Sequence, residues 1–578
     1  MSHIDYTDPC RRRPRRRPVV ENRLAGSQST IVAAILKPPL PLPALGSRLS
    51  ARRDALPSHP AVFAIGAAIF SALWFNGALW RYLAEHLDLP SPFALASGLA
   101  VALLPITLNL IVFAGLAVLS NRLLKAALIV LSIGNAIALY FIDQYQVFLD
   151  RTMMGNVLNT DAGEVSALLH PLIVVYGLFW AGVPVWLIWI WPLRTVRLRS
   201  RLATWLIAPS VCLGLLYALS FTWLWIAQHD SRLGARILPW SYVINTVRFL
   251  QTEKLNQLTF EPLPDATAEP LGARKRVIVL VIGESARADR QSLFGYERDT
   301  NSESRAVGVV GIPGVQACAS YTLAALNCIL SHRGDTAPER SGMGEPLPNY
   351  LYRQGVDVIW RSANSGQPPL KVRLHETLAE TAAYCSDPAC EATRWDEGLL
   401  RGLDGLITGS PHQRIFVVLH LSGSHGPAYH TKYPPEFERF KPTCKTVILK
   451  DCDAQSLTNA YDNTIIYTDH VLATLSRQLE RLDVASAWLY LSDHGESLGE
   501  GGLYLHGLPR ALSPREQLDI PFTFWLSPAF NNEVAIDSTK AQGLRGIGQG
   551  HVFHTVMGML ALRGGPYRAE LDLFNLMK

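Results

Sequence analysis

The chain has 578 residues, too many for one ordinary domain, and 49% of them are hydrophobic. Its formal net charge of +5 is no guide to partners, because much of it comes from the run RRRPRRR at residues 11–17. Such an Arg run could bind nucleic acid, but residues 1–56 read better as a disordered, basic, Pro-rich cytoplasmic tail near anionic lipid, and no nucleic-acid partner is expected.

The first apolar run begins near Pro60, too far along for a cleaved signal peptide. Crossing a bilayer core as a helix takes about 20 apolar residues. Five runs meet that length: Pro60–Tyr82, Phe93–Leu119, Leu123–Tyr145, Pro171–Trp191 and Thr204–Ala227. Asn76 and Asn109 inside them are few enough to be satisfied by neighbouring helices. The expected membrane domain is therefore residues 57–227. The tail and the loops SNRLLK and LRTVRLRSR are basic, whereas AEHLDLPS is acidic and the third loop carries Asp150, Asp161 and Glu164 against Arg151. The positive-inside rule then puts the N-terminus in the cytoplasm, and five spans put everything after Ala227 outside.

Cysteine placement agrees with that topology. Six of the eight cysteines follow the last span as sequence-local pairs, Cys318/Cys328, Cys385/Cys390 and Cys444/Cys452. Such pairs are expected as disulfides in an oxidising compartment, and none has the CxxC spacing of a thiolate metal site.

Residues 228–270 read as a connector, with PWSYVINTVRFLQ as an interfacial helix and FEPLPDATAEPLGA as a linker. From residue 271 to 578 the pattern changes to that of an α/β domain. Continuous apolar runs such as KRVIVLVIGES, RIFVVLHLSGSHG and ASAWLYLSDHGES alternate with helical stretches, which predicts a mostly parallel sheet covered on both faces. Ligands gather at the carboxyl ends of such strands.

Glu284, His425, Asp493 and His494 each lie just past the end of a predicted strand, and His506 follows a Gly-rich turn. Each alone reads as a turn, cap or surface residue; together they can fill one cleft. A carboxylate, an Asp-His pair and a further oxygen suit zinc, with manganese the alternative for so oxygen-rich a set. The further oxygen would be a hydroxyl that the metal turns into a nucleophile. Ser320 and Thr322, in the segment CASYTLAALNC, both qualify, and either could instead cap a helix.

The blocks GESARADRQSLFGYERDTN, CASYTLAALNC, HLSGSHGPAYHTKYPPEFERFKPTC, YDNTIIYTD and SDHGESLGEGGLYLHG resemble the phosphoethanolamine–lipid A transferases, including the mobile colistin-resistance enzymes. That family belongs to the alkaline phosphatase/sulfatase superfamily. The resemblance implies five transmembrane helices followed by a C-terminal sulfatase-like (alkaline phosphatase-like) domain. It implies Thr322 as the nucleophile, with Glu284, Asp493 and His494 as its zinc partners. His425 and His506 match histidines that contact phosphate, donate protons or hold a second metal. Asn156, Thr160 and Glu164 match a set that holds an ethanolamine lipid headgroup; their spacing of four places them on one helix face. Asn364 and Ser365 match a substrate stretch, although the lysine that completes it is displaced to Lys371. Other departures are Ala319, Asn327 and Arg290, none of them an implied metal ligand. Cys385 and Cys390 stand closer together than the corresponding family pair often does.

The implied activity moves phosphoethanolamine from phosphatidylethanolamine to a phosphate of lipid A, through a phosphothreonine, in a monomer of the bacterial inner membrane with a periplasmic catalytic domain. Such transfer implies polymyxin and cationic-peptide resistance. Core heptose, Kdo or a periplasmic glucan are the alternative acceptors. A sulfatase reading lacks the C-x-P-x-R motif, and a hydrolase reading leaves the membrane half without a purpose.

Overall fold

A computed structural model describes residues 58–87, 91–147, 149–159, 168, 170–256, 260–337, 343–386, 390 and 394–578. The N-terminal tail, Thr160, Asp161 and Glu164 lie outside these described residues.

The apolar half is helical. Helices α1 (Pro60–Trp74) and α2 (Gly77–His86) form a pair bent by 60°. α3 (Pro92–Leu119), α4 (Asn121–Tyr145), α6 (Leu172–Ile190) and α7 (Leu198–Ala218) are each long and apolar enough to cross a membrane, after a short α5 (Arg151–Asn159). Among the described residues four helices pass that test, and five spans result when the bent pair counts as one. The expected straight first span is therefore broken at Phe75–Asn76. Asn76 makes the break tenable: its Nδ2 donates to the Ala72 carbonyl at 3.0 Å, and its Oδ1 accepts from the Leu238 N–H at 2.7 Å. The fifth span also ends early, at Ala218, with two short turns carrying the chain on to Gln228. Inside the bundle Asn109 donates to the Ala68 carbonyl and accepts from Trp240 Nε1 at 2.9 Å, so its burial leaves no unmet amide.

The connector helix α8 (Trp240–Asn256) packs on α5. Asn245 Nδ2 donates to the Leu149 carbonyl at 2.8 Å, and a Cβ at Gly155 would lie 2.7 Å from the Phe249 ring. Glycine permits that approach.

The remaining chain forms a seven-stranded sheet. Its strands are β1 (Lys275–Gly283), β2 (Val310–Ile312), β3 (Asp357–Ser362), β4 (Leu374–Thr377), β5 (Arg414–His420), β6 (Val484–Ser492) and β7 (Phe522–Leu526). The spatial order is β2-β7-β6-β1-β5-β3-β4, with five parallel strands and antiparallel pairings at the β7 and β2 edge. Alternation along β1 explains the continuous apolar run. Ile278, Leu280 and Ile282 enter one core with Val552 and Phe553 of α11 (His551–Met559). Val277, Val279 and Val281 enter the other core with Val471 and Leu475 of α10 (Ala454–Glu480), after the nucleophile-segment helix α9 (Thr322–Ile329). Both faces are dry, as a central parallel strand requires.

The three cysteine pairs are bonded: Cys318 to Cys328, Cys385 to Cys390 and Cys444 to Cys452. The Cys385–Cys390 bond, formed as expected, sits at the margin of the sheet. Cys385 directly follows the short turn Glu380–Tyr384 beside the edge strand β4, and the Cys390 carbonyl accepts from Arg401 Nη2. Cys390 therefore ties down an outer loop and takes no part in the cleft; residues 387–389 and 391–393 around it lie outside the described residues. The loop closed by Cys444–Cys452 instead rests on the membrane half. Ile448 is buried with Tyr140 and Tyr145 of α4, Tyr145 Oη donates to the Val447 carbonyl at 3.2 Å, and Lys450 Nζ reaches the Asp143 carbonyl at 3.5 Å.

Candidate active site

Strand register brings the chemistry together. Ile282 pairs with His420 on one side of β1 and Gly283 pairs with Ser492 on the other, so three central strands end level. Glu284 and the Asp493–His494 pair leave those ends fully buried. Ser285 turns the chain sharply at a φ of 56°, and in that conformation it serves both carboxylates. Its Oγ donates to Glu284 Oε1 at 2.7 Å, and its N–H donates to Asp493 Oδ1 at 3.0 Å.

Thr322 opens α9. Its Oγ1 donates to Glu284 Oε2 at 3.2 Å and lies 3.5 Å from His494 Nε2. Ser320, the other hydroxyl of the segment, instead donates to the Leu508 carbonyl. The Cys318–Cys328 bond ties the segment across α9, and Gln549 ties it to the metal-side strand. Gln549 Oε1 accepts from the Cys318 N–H at 3.0 Å while its Nε2 donates to the Asp493 carbonyl at 2.6 Å.

The donor set fits a divalent metal. His494 Nδ1 sits 2.9 Å from the Gly495 carbonyl, which makes Nδ1 the protonated nitrogen and leaves the Nε2 lone pair pointing inward. That lone pair faces Asp493 Oδ2 at 3.2 Å and Glu284 Oε1 at 3.5 Å, and Asp493 Oδ2 is buried without a hydrogen-bond partner. Electron-rich atoms converging in a dry site call for a cation. Burial, reinforced by the facing Glu284 carboxylate, pushes the Asp493 carboxyl well above the usual range. Among the described residues, Glu284, His494 and His506 offer ligand atoms all within 4.8 Å of one another.

Burial pushes His425 and His506 each down to about 3. Their rings lie 5.8 Å apart, and the His506 ring is 4.1 Å from that of His494. His506 Nδ1 meets Glu496 Oε2 at 2.7 Å, and Glu496, pushed up to about 8 by burial, also accepts from Tyr429 Oη at 2.6 Å. Asp396 braces the loop that carries His425, accepting from the N–H groups of Ser422 and Gly423.

Asn364 faces the carboxylate. Its Nδ2 donates to Glu284 Oε2 at 2.6 Å, its Oδ1 accepts from the Ser365 N–H at 2.7 Å, and Ser365 lines the cavity above. Lys371 is exposed, and its N–H donates to Asn349 Oδ1. Sequence reasoning passed over His420, Glu496, Asp396 and Gln549. His420 is fully buried, with Nδ1 3.2 Å from Ser362 Oγ, whose own bonds hold Asn364. Glu496 sits two residues past His494 and was the one legible from spacing.

A cavity of about 380 Å³ opens over Thr322. Thr322, Asn364, Ser365, His425 and His506 line one side, while Phe141 of α4, Leu149, and Met153 and Val157 of α5 line the other. Neither Cys385 nor Cys390 reaches it. Asn156 lies on α5; Thr160 and Glu164 fall outside the described residues.

Comparison with known proteins agrees with this arrangement. A family model described as phosphoethanolamine transferase EptA/EptB matches residues 106–254, and a sulfatase model matches residues 276–562. The chain is 36% identical over 473 residues to phosphoethanolamine transferase EptA of Helicobacter pylori, covering 81% of this chain and 88% of that protein. It is 32% identical over 432 residues to the phosphatidylethanolamine transferase Mcr-1 of Escherichia coli, covering 70% of this chain and 78% of that protein. The solved integral membrane lipooligosaccharide phosphoethanolamine transferase A of Neisseria meningitidis superposes with a TM-score of 0.80 at 26% identity, over 89% of this chain and 98% of that one. The chain belongs to the phosphoethanolamine transferase family, with an N-terminal set of membrane-spanning helices and a C-terminal sulfatase-like domain.

Proposed function

We propose that this enzyme transfers phosphoethanolamine from phosphatidylethanolamine to a phosphate of lipid A, with Thr322 as the nucleophile. The observation that carries the reading is the position of Thr322 Oγ1, 3.2 Å from Glu284 Oε2 at the floor of a cavity whose other wall comes from the membrane half. A lipid donor can keep its acyl chains in the bilayer while its headgroup reaches that hydroxyl.

Glu284, Thr322, Asp493 and His494 would hold a zinc ion, which supplies Lewis-acid activation of the hydroxyl and of the phosphoryl oxygens. Thr322 Oγ attacks phosphorus, the bond to the glycerol oxygen breaks, and diacylglycerol leaves with a proton. A lipid A phosphate oxygen then displaces Oγ, which regains a proton. His425 and His506 stand where they can take a proton from, and in their protonated form return it to, the transferring group, with Glu496 fixing the ring of His506. Asn364 holds Glu284 in place. Asn156, Thr160 and Glu164 are assigned to the ethanolamine headgroup, and Ser365, which lines the cavity beside Asn364, to substrate contact.

In this reading residues 57–227 form the membrane domain, 228–270 the connector and 271–578 a periplasmic catalytic domain, acting as a monomer with a cytoplasmic N-terminus. Added ethanolamine groups offset phosphate charge and weaken binding of cationic peptides such as polymyxin. Mass spectrometry of lipids from cells with and without the gene tests the acceptor. Phosphoethanolamine found on core sugar or Kdo, with lipid A unmodified, would replace lipid A by that acceptor. Thr322→Ala must abolish covalent labelling by donor lipid; labelling that persists removes Thr322 from its role.

A further inference from the structure

The cavity over Thr322 has two unlike walls, and the apolar one is built with care. Met153 and Val157 lie one turn apart on α5, a helix of nine residues, too short to span a bilayer. Val157 is 54% exposed and lines the open cavity. The helix is nevertheless held firmly from behind, by Phe249 against Gly155 and by Asn245 on the Leu149 carbonyl. Leu505 continues the apolar lining on the soluble side, next to His506.

We propose that this α5 face makes the site a transferase instead of a hydrolase, by keeping water away from phosphorylated Thr322. The inference rests on the donor and the phosphothreonine proposed above. Water and a lipid A phosphate would carry out the same second step. An oxygen attacks phosphorus, the P–Oγ bond breaks, its electron pair returns to Oγ, and Oγ takes a proton. With water, one water proton goes to Oγ and the product is free phosphoethanolamine. Nothing in the polar wall separates the two nucleophiles, since Asn364, His425 and His506 serve either. Access separates them. An apolar wall facing the phosphorylated hydroxyl offers water no hydrogen-bond partner on the side of approach, while a lipid acceptor arrives with its own apolar chains against Met153 and Val157.

The test uses the full-length enzyme in lipid nanodiscs containing phosphatidylethanolamine and lipid A, in water enriched in oxygen-18. Mass spectrometry gives the ratio of labelled free phosphoethanolamine to phosphoethanolamine on lipid A, and diacylglycerol release gives total turnover. Met153→Gln and Val157→Thr keep side-chain length or shape while offering water a partner. Each is expected to raise the ratio severalfold, and the pair further, while Val157→Ile holds the wild-type ratio whatever its rate. The ratio is read on whatever turnover remains, so a slow variant still decides. A wild-type ratio in both polar variants, or an equal rise with Val157→Ile, overturns the inference. A wild-type enzyme that releases no diacylglycerol overturns the donor reading instead.

Discussion

Asn364 Nδ2 donates to Glu284 Oε2 across 2.6 Å, and the same oxygen accepts from Thr322 Oγ1. One amide therefore fixes the carboxylate that faces both the nucleophile and the metal position. Asn364→Ala should lower zinc affinity by roughly 10–100-fold, the usual cost of losing a partner that orients a ligand. Metal analysis of protein equilibrated in zinc buffers checks it; wild-type affinity would mean Glu284 is held by other contacts.

Removing the metal should separate activity from fold. Chelation is expected to abolish transfer and to lower the melting temperature by several degrees, because a ligand bound only to the folded state stabilises it by about 2.7 kcal/mol at 100 times its Kd. The sheet survives, since its two cores lie along the strands and not at their ends. Zinc should restore both signals, read by lipid transfer and thermal melting.

Gly423 is a tightly constrained turn of the site. Its φ is 50°, and a Cβ there would lie 2.8 Å from the Glu284 carbonyl oxygen and 2.9 Å from its nitrogen. Backbone cannot step aside as a side chain can. Gly423→Ala should cost on the order of 1–3 kcal/mol in backbone strain and displace His425 with the loop. Thermal melting and transfer assays should both fall; unchanged activity would show that the loop can be carried in another conformation.

Asp469 gives a pH signature remote from the metal. Burial pushes its carboxyl up to about 6, although it accepts from the N–H groups of Glu303 and Ser304. A folded-state value above the unfolded one means stability is full below about pH 4 and is lost as pH rises through about 6. Asp469→Asn should flatten that part of the profile. Melting temperatures between pH 4 and 7 decide it, and a mutant as steep as wild type would assign the slope elsewhere.

Much of this architecture is legible in sequence for one reason: parallel strands buried on both faces write continuous apolar runs, and the residues ending those runs share one edge. Glu284, Asp493 and His494 are therefore close in space although more than 200 residues separate them. His420 escaped because it closes the run RIFVVLH as a strand residue, with nothing local to mark it. The choice of Thr322 over Ser320 needed family resemblance, and the structure adds the Leu508 carbonyl that occupies Ser320. The pairing of Cys385 with Cys390 was readable from proximity, but its place at the β4 edge was not, because spacing says nothing about which strand a loop borders. The bend at Asn76 was invisible because averaged hydropathy does not register one amide, and its partner Leu238 lies 162 residues away. The wall over the cavity is likewise non-local, since α5 owes its position to Phe249 and Asn245 on the connector.

The loop closed by Cys444 and Cys452, resting on Tyr145, has a bearing on when the enzyme becomes competent. With phosphatidylethanolamine as the proposed donor, a site finished on the synthesising side would meet its donor early. In the orientation proposed above, the disulfide that closes this loop would form only after translocation. Assembly order would then act as a safety catch, arming the chemistry only on the proposed outer side.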